Sequence, residues 1–377
     1  MIRIMHIITD LDVGGAETML YKLVSALDRE RFLCRVVSLD FPGVVGHKIK
    51  NLGIRVDTLG VNPRFPNPLA LFKAIRILRN WNPDIVQTWL YHSDFLGTLA
   101  SQIGRRGVLV WNIRCTNMDL SKYRRMTRLA MRACAVLSRY PYMIIANSQA
   151  AIEYHQRRHY RPERSTVIPN GFDLDHFKPD PALRTQVRRE LGIPDGASCI
   201  GLVARFDPMK DHKTFLRAAG KVGAKYPGAH FVLAGHGVDS NNRTLCQWIK
   251  EARLNSRVHL LGQQQEIQII LAGLDIACSS SSYGEGFSNS IGEAMSCGVP
   301  CVVTDVGDSA RIVGKTGKVV PPRSPHALAE AILELLELSP EERKKLRKLA
   351  RERIRRHYSL DKIVAGYERL YMSIAAR

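Results

Sequence analysis

Short apolar runs alternate along the chain with stretches in which apolar residues recur every three or four positions. The runs at 2–8, 33–39, 84–88, 108–112 and 142–146 predict strands. The periodic stretches at 16–27, 69–80 and 121–137 predict amphipathic helices. The alternation restarts after residue 180, with strands at 198–204, 229–234, 257–260, 274–278 and 300–303 and helices at 211–226, 241–254 and 290–297. Strands separated by helices must pair in parallel through crossovers, so each series predicts a parallel sheet with helices on both faces. The chain is therefore expected to be α/β, with two doubly wound, Rossmann-like domains. The weakest joint lies at 171–197, where Pro179, Pro181 and Pro194 accompany a charged stretch with one short helix. Placing the boundary near 180 gives domains at 1–180 and 181–358 and a last helical segment at 359–377. Within the helical region after 324, Ser339-Pro340-Glu341-Glu342 reads as a helix start: a capping Ser, Pro at the first position and acids in the first turn.

Composition narrows the class. With 45% apolar and 24% charged residues over 377 positions, the chain can build two or three cored domains. This excludes a disordered or collagen-like chain. Nothing approaches the run of about 18 apolar residues that a membrane-spanning helix needs. The opening Met1–Ile8 run meets Asp10 and Asp12 too soon for a secretory leader. The 8 cysteines stand singly, without a Cys-x-x-Cys pair or zinc spacing, which predicts reduced thiols, a cytoplasmic location and no structural metal. The 55 basic against 35 acidic residues leave a net charge of +20. That excess favours an anionic partner, whether nucleic acid, acidic membrane or phosphorylated substrate, without choosing among them.

Three segments carry candidate chemistry. In Ser281–Met295 a Ser/Gly-rich loop follows a strand and opens a helix near Asn289. Backbone N–H groups free of bulky side chains at such a start suit a phosphate. Glu285 lies just outside the helix and Glu293 about one turn inside it; they suit sugar hydroxyls, and a capped helix with a solvated glutamate fits the same residues. In Val203–Asp211 a strand end and a short loop put Arg205 and Lys210 on one edge of the sheet, as phosphate ligands or as solvated cations. In Thr9–Glu17 the pair Gly14-Gly15 opens the first helix, for close approach of a ligand or simply for a tight turn. It is neither G-x-G-x-x-G nor a Walker loop.

In combination and in order, these segments resemble the retaining glycosyltransferases of family 4, which have the GT-B fold. Glu285 through Glu293 looks like that family's E-x7-E motif, continued by Glu293-Ala-Met-Ser-Cys-Gly-Val-Pro-Cys-Val-Val-Thr-Asp305-Val-Gly307. Ala146-Asn147-Ser148, Val167–Asp173, Arg205-x4-Lys210-Asp211 and Leu233-Ala-Gly235-x-Gly237 extend the match. The resemblance implies two Rossmann-like domains facing across a cleft, with a helix at about 359–375 crossing back to the first domain. It implies a nucleotide-sugar donor, foremost a UDP-sugar, and a glycan or lipid-linked acceptor, in a setting of cell-envelope polysaccharide synthesis. Arg205 and Lys210 would bind the donor diphosphate, and Glu285 would contact the donor sugar. Gly286, Phe287, Ser288, Asn289 and Ser290 would place sugar and phosphate, and Glu293 would bind the ribose. Gly14 and Gly15 would let the first helix approach donor phosphate and acceptor. Neither metal nor cofactor is implied, and the leaving phosphate would take the acceptor's proton in front-side attack.

Many relatives carry a His at the strand end where this chain has Arg114, a candidate for holding an anionic acceptor group; a surface Arg is the simpler reading. His92 is the other acceptor-side candidate or a structural residue. Residues 105–164 hold 13 Lys/Arg against 3 acids, and Lys122, Arg125, Arg128 and Arg132 recur at helical spacing beside Met126, Leu129 and Ala133. This pattern within 121–132 fits a helix lying on the anionic inner face of a membrane, or a solvated basic face. The rival readings are a nucleic-acid-binding protein and a GT-B epimerase or phosphorylase. No RNA-binding aromatic motif, zinc finger or helix-turn-helix supports the first, so no specific nucleic acid is expected.

Overall fold

The computed structural model describes residues 1–61, 68–116, 125–254 and 256–376. The chain forms two compact units. One comprises Met1–Gly171 and the chain from Leu360 onward; the other is Phe172–Ser359.

In the first unit, strands β1 (Ile2–Ile8), β2 (Phe32–Ser38), β3 (Arg55–Thr58), β4 (Ile85–Trp89), β5 (Val108–Ile113), β6 (Met143–Ala146) and β7 (Ser165–Val167) form one parallel sheet. Its order is β3-β2-β1-β4-β5-β6-β7. Helices α1 (Gly15–Ala26), α2 (Gly43–Asn51), α3 (Pro68–Trp81), α4 (Tyr91–Gly104), α5 (Arg125–Leu137) and α6 (Gln149–Gln156) make the crossovers. Because side chains alternate across a strand, Ile4 and Ile8 of β1 face α1 and α2, whereas Met5 and Ile7 face α3 and α4. Both faces are dry, and this is why β1 is a nearly continuous apolar run. The predicted helix at 121–137 is described from Arg125 onward; Lys122 lies outside the described residues.

The second unit repeats the plan. Strands β8 (Cys199–Val203), β9 (His230–Ala234), β10 (Val258–Leu260), β11 (Ile276–Ser279), β12 (Cys301–Thr304) and β13 (Lys318–Val320) run parallel in the order β10-β9-β8-β11-β12-β13. Helices α7 (Pro181–Glu190), α8 (His212–Lys225), α9 (Arg243–Glu251), α10 (Ile267–Gly273), α11 (Asn289–Ser296), α12 (Ser309–Val313), α13 (Pro325–Leu336) and α14 (Pro340–Tyr358) surround it. The helix start at Ser339 is a full capping box: the Ser339 hydroxyl accepts from the Glu342 N–H, and the Glu342 carboxylate accepts from the Ser339 N–H. The expected helix at 241–254 is shorter, capped by the Asn242 side chain and ending at Glu251. The expected strand at 274–278 starts at Ile276, because the Asp275 carboxylate is drawn into ion pairs with Arg184 and Arg188.

The units divide after Gly171, ahead of the joint expected near 180. Phe172 is the reason. Its ring is fully buried and stacks on Phe287, and a side chain at Gly292 would collide with it. Its N–H donates to the Tyr358 carbonyl, so the segment after Gly171 is built into the second unit.

The last helix, α15 (Leu360–Ala375), packs on the first unit. Ile363, Val364, Tyr367, Tyr371 and Ile374 form its buried stripe and join the core of α1, β1 and β4. Two of these residues carry polar tips that find partners. Tyr371 Oη donates to Gln87 Oε1 at 2.5 Å, and Tyr367 Oη accepts from Asn112 Nδ2 at 3.0 Å.

Candidate active site

In the second unit the strand order reverses between β8 and β11, and ligands of open parallel sheets bind beyond the carboxyl ends at such a point. Arg205 follows β8 there. Its backbone is held by Ala204 N–H to Ala234 O and Phe206 N–H to His236 O. Gly235, at φ +152°, passes so close to the Ala204 carbonyl that any side chain would overlap it. Arg205 itself is largely exposed and touches Asp207 at 3.2 Å. A 3₁₀ turn at Pro208–Lys210, capped by Asp207, then aims Lys210 inward. Asp211, in the left-handed region at φ 47°, starts α8 by accepting from Thr214 N–H and Oγ1.

The loop after β11 brings Glu285 to Lys210. The Lys210 ammonium and Glu285 carboxylate form an ion pair with both side chains largely buried, and Ser281 Oγ donates to the same carboxylate oxygen at 3.0 Å. Burial alone would raise the Glu285 carboxyl. The Lys210 charge, the hydrogen bonds from Lys210 and Ser281, and the Arg205 charge outweigh it and hold the group below the usual carboxylate range. The loop is fastened from behind. Thr304 Oγ1 donates to the Ser281 carbonyl at 2.6 Å, Asp308 N–H donates to Gly286 O, and Gly307 lies against the Glu285 carbonyl.

Helix α11 then begins at Asn289 with Ser288 at its cap position. The Ser288 hydroxyl meets the Ser290 hydroxyl at 3.2 Å and does not cap the helix backbone. Glu293 lies half-buried in the body of α11. Of Phe287, expected with its neighbours to place the sugar through backbone or side chain, the side chain is taken up by the core. Its ring is stacked on Phe172 and edge-on to Tyr358.

In the first unit the strand order reverses between β1 and β4. Gly14 is the N-cap of α1, with extended backbone and no side-chain capping hydrogen bond, and Gly15 is the first helical residue. The space above Gly14 is filled by Glu17, a residue that pattern reading did not single out: a methyl group on Gly14 would overlap Glu17 Oε2. Glu17 is 7% exposed. Burial raises its carboxyl to about 7, with Asp10 adding repulsion and backbone hydrogen bonds and Arg114 opposing the rise.

Arg114, at the end of β5, is spent inside this unit and does not stand on the surface. It donates to Asn112 Oδ1 and Tyr367 Oη at 3.4 Å, donates to Asn170 Oδ1, and lies over the Trp89 ring. His92, in the first turn of α4, is half-buried and approaches Thr127 Oγ1 at 3.4 Å; burial lowers its pKa, which keeps the ring neutral at pH 7. Leu90, two residues earlier at the N-cap of α4, has φ +72° and ψ 157°, a conformation rarely adopted by a branched side chain. Strain of this kind, on the order of 1–3 kcal/mol, collects at functional turns. Gly14, Glu17, Leu90, His92 and Arg114 thus share the carboxyl edge of one sheet. Among the described residues, no helix is long and apolar enough to cross a membrane, and no three His, Cys, Asp or Glu side chains converge as a metal site.

Residues 13–176 match the family described as Glycosyltransferase Family 4, and residues 184–353 match Glycosyl transferases group 1. EpsF of Bacillus subtilis (strain 168) is 26% identical over 322 residues, covering 80% of this chain and 79% of that protein. N-acetyl-alpha-D-glucosaminyl L-malate synthase of Bacillus anthracis is 28% identical over 201 residues, 53% of this chain and 51% of that protein. Among solved structures, Anabaena Alr3699/HepE in complex with UDP superimposes with a TM-score of 0.85 at 24% identity, covering 99% of this chain and 100% of that one. With two parallel-sheet Rossmann-like units and both halves matched, the chain belongs to the family 4, group 1 glycosyltransferases of GT-B fold.

Proposed function

We propose that the protein is a retaining, metal-independent glycosyltransferase that moves a sugar from a UDP-sugar to a glycan or lipid-linked acceptor in envelope polysaccharide synthesis. The observation that carries the reading is the Lys210–Glu285–Ser281 cluster beside Arg205, at the point where the sheet of the second unit reverses its strand order. A diphosphate arriving there meets two cations, one exposed and one buried. Lys210 then shares its charge with the phosphate, and Glu285 becomes free to accept from donor-sugar hydroxyls. The N–H groups at the start of α11 complete the anion site.

In the step itself the bond from the sugar's anomeric carbon to the diphosphate oxygen breaks. The acceptor oxygen bonds to the same face, and its proton passes to the departing phosphate. Arg205 and Lys210 stabilise the charge that develops on the leaving group, the task a divalent metal performs elsewhere. Glu285, already engaged by Lys210 and Ser281, serves as a sugar ligand and not as a nucleophile.

Helix α5 supports work at an anionic membrane surface. Arg125, Met126, Leu129 and Arg132 are exposed on it, interleaving cations with apolar side chains. The test of the donor reading is a thermal-shift panel of UDP, GDP and ADP with their sugar conjugates on wild type and Lys210→Ala. A selective shift with the UDP series, lost in the variant, is expected. Indifference to every nucleotide alongside salt-sensitive binding to arbitrary RNA would overturn the proposal.

A further inference from the structure

A second cationic cluster lies at the opposite, amino-terminal edge of the same sheet, around Asp275 just before β11. Arg184 and Arg188 of α7 pair with its two carboxylate oxygens at 2.5 and 2.6 Å. Further donors of both are engaged as well: Arg184 on the Gly273 and Leu274 carbonyls, Arg188 on those of Gly273 and Ala197. Asp275 is thereby satisfied by two guanidiniums. Yet α14 delivers two more.

Arg347 reaches Asp275 only at 3.9 Å and makes no hydrogen bond among the described residues. Arg343 donates to the Leu336 and Leu338 carbonyls, but its Nε is buried without a partner. Three guanidiniums thus approach one buried carboxylate, a fourth, Arg343, lines the cavity beside it, and the exposed Asp195 lines the same cavity. Packing cations together out of water is costly unless an anion joins them. Burial lowers the Arg347 pKa, and Arg184, Arg188 and Arg343 lower it further against the opposing charge of Asp275. A cavity of about 250 Å³ opens among Arg184, Arg188, Arg343, Asp195, Ser198 and Asp275. It has room for a phosphoryl group and a few further atoms, and Gly196 adds no side chain to its lining.

We propose that Arg343, with Arg184 and Arg188 lining the same cavity and Arg347 adding its charge from beside Asp275, forms a binding site for a small phosphate-class oxyanion, distinct from the Lys210–Glu285 site at the other end of β11. Planar guanidiniums suit tetrahedral oxyanions because each offers paired N–H donors. The ligand docks α14 against α7 and the start of β11. It therefore acts on the second unit from the side away from the carboxyl edge.

The test is calorimetric titration of inorganic phosphate, at ionic strength held constant with chloride, into Lys210→Ala protein, in which the donor site is disabled. A saturable isotherm of one phosphate per chain is expected. Adding Arg343→Gln and Arg347→Gln on that background should weaken it at least tenfold. Ser198→Glu is the second variant, chosen because it keeps every arginine and only places a carboxylate at the mouth. It should also weaken phosphate at least tenfold, with an unchanged melting temperature in chloride. A phosphate isotherm equal in all three proteins, or heats no different from chloride, would overturn the site. The outcome is independent of whether UDP binds, so failure here and failure of the donor assignment are separable.

Discussion

Lys210 and Glu285 stand 75 positions apart in the chain, yet the ammonium rests on the carboxylate inside the second unit. Neither tolerates loss of the other. Lys210→Ala leaves a buried, unpaired carboxylate and should cost about 3–5 kcal/mol of stability together with about 10²–10³ in kcat. The double variant Lys210→Met, Glu285→Gln removes both charges and should recover most of the melting temperature without recovering turnover. Recovery of both would show that the pair is structural only. Since Glu285 titrates below the ordinary carboxylate range, the stability it contributes is present at neutral pH and lost as the pH falls through its folded pKa.

Glu17 has the opposite sign. Its carboxyl is raised to about 7, so between the ordinary glutamate value and 7 the folded chain holds a proton that the unfolded chain has released. Stability from this group is full at low pH and declines as the pH rises through that window, by up to about 3 kcal/mol. Glu17→Gln should flatten this decline, gaining stability over wild type at pH 8 relative to pH 5. Denaturant melts at the two values measure it; parallel pH profiles for the two proteins would refute the assignment.

Gly307 sits at φ 62° with its missing side chain directed at the Glu285 carbonyl. Gly307→Ala must strain its own backbone by about 1–2 kcal/mol and push the loop that carries Glu285. Activity should therefore fall by more than the modest drop in melting temperature implies, with KM for donor rising. An unchanged KM would mean that the loop yields without moving Glu285.

Tyr367 ties α15 to the carboxyl edge of the first unit. Tyr367→Phe leaves buried Asn112 without its hydroxyl partner and removes one of the bonds made by Arg114. A loss of about 1–3 kcal/mol is expected, read from the urea midpoint. Deleting 360–377 should be far worse, because it uncovers the apolar face on which Ile363, Val364, Tyr371 and Ile374 lie. Strong binding of a hydrophobic dye by the truncated chain is the expected sign.

The central strands were legible because strands buried on both faces are written as apolar runs, as in β1 and β8. Three of the four edge strands were not; only β10 was expected, at 257–260. Arg55–Thr58, Ser165–Val167 and Lys318–Val320 are short and carry polar residues, so no local pattern separates them from loops. Helix α4 was hidden for another reason: it buries Ser93, Asp94, Thr98 and Ser101, polar residues that break the apolar period. Thr88 Oγ1 donates to Asp94 Oδ1 at 2.5 Å, and Trp111 Nε1 donates to Thr98 Oγ1 at 3.0 Å, so hydrogen bonds offset part of the cost of that burial, while Asp94 Oδ2 and Ser101 Oγ have no partner among the described residues.

From sequence alone came the two α/β series, the E-x7-E segment, and the order of Arg205, Lys210, Glu285 and Glu293. Each is a local pattern or a recurring string of residues, and needs no knowledge of what lies opposite. Tertiary structure decided that Lys210 neutralises Glu285, that Phe287 is a core ring, and that Arg114 is held by Asn170 and Tyr367. It also decided that Glu17 fills the space over Gly14. The charge state and orientation of a buried polar group depend on which partner reaches it through a medium that excludes water. That partner is chosen by the crossing of strands and helices far apart in the chain, which no local spacing records.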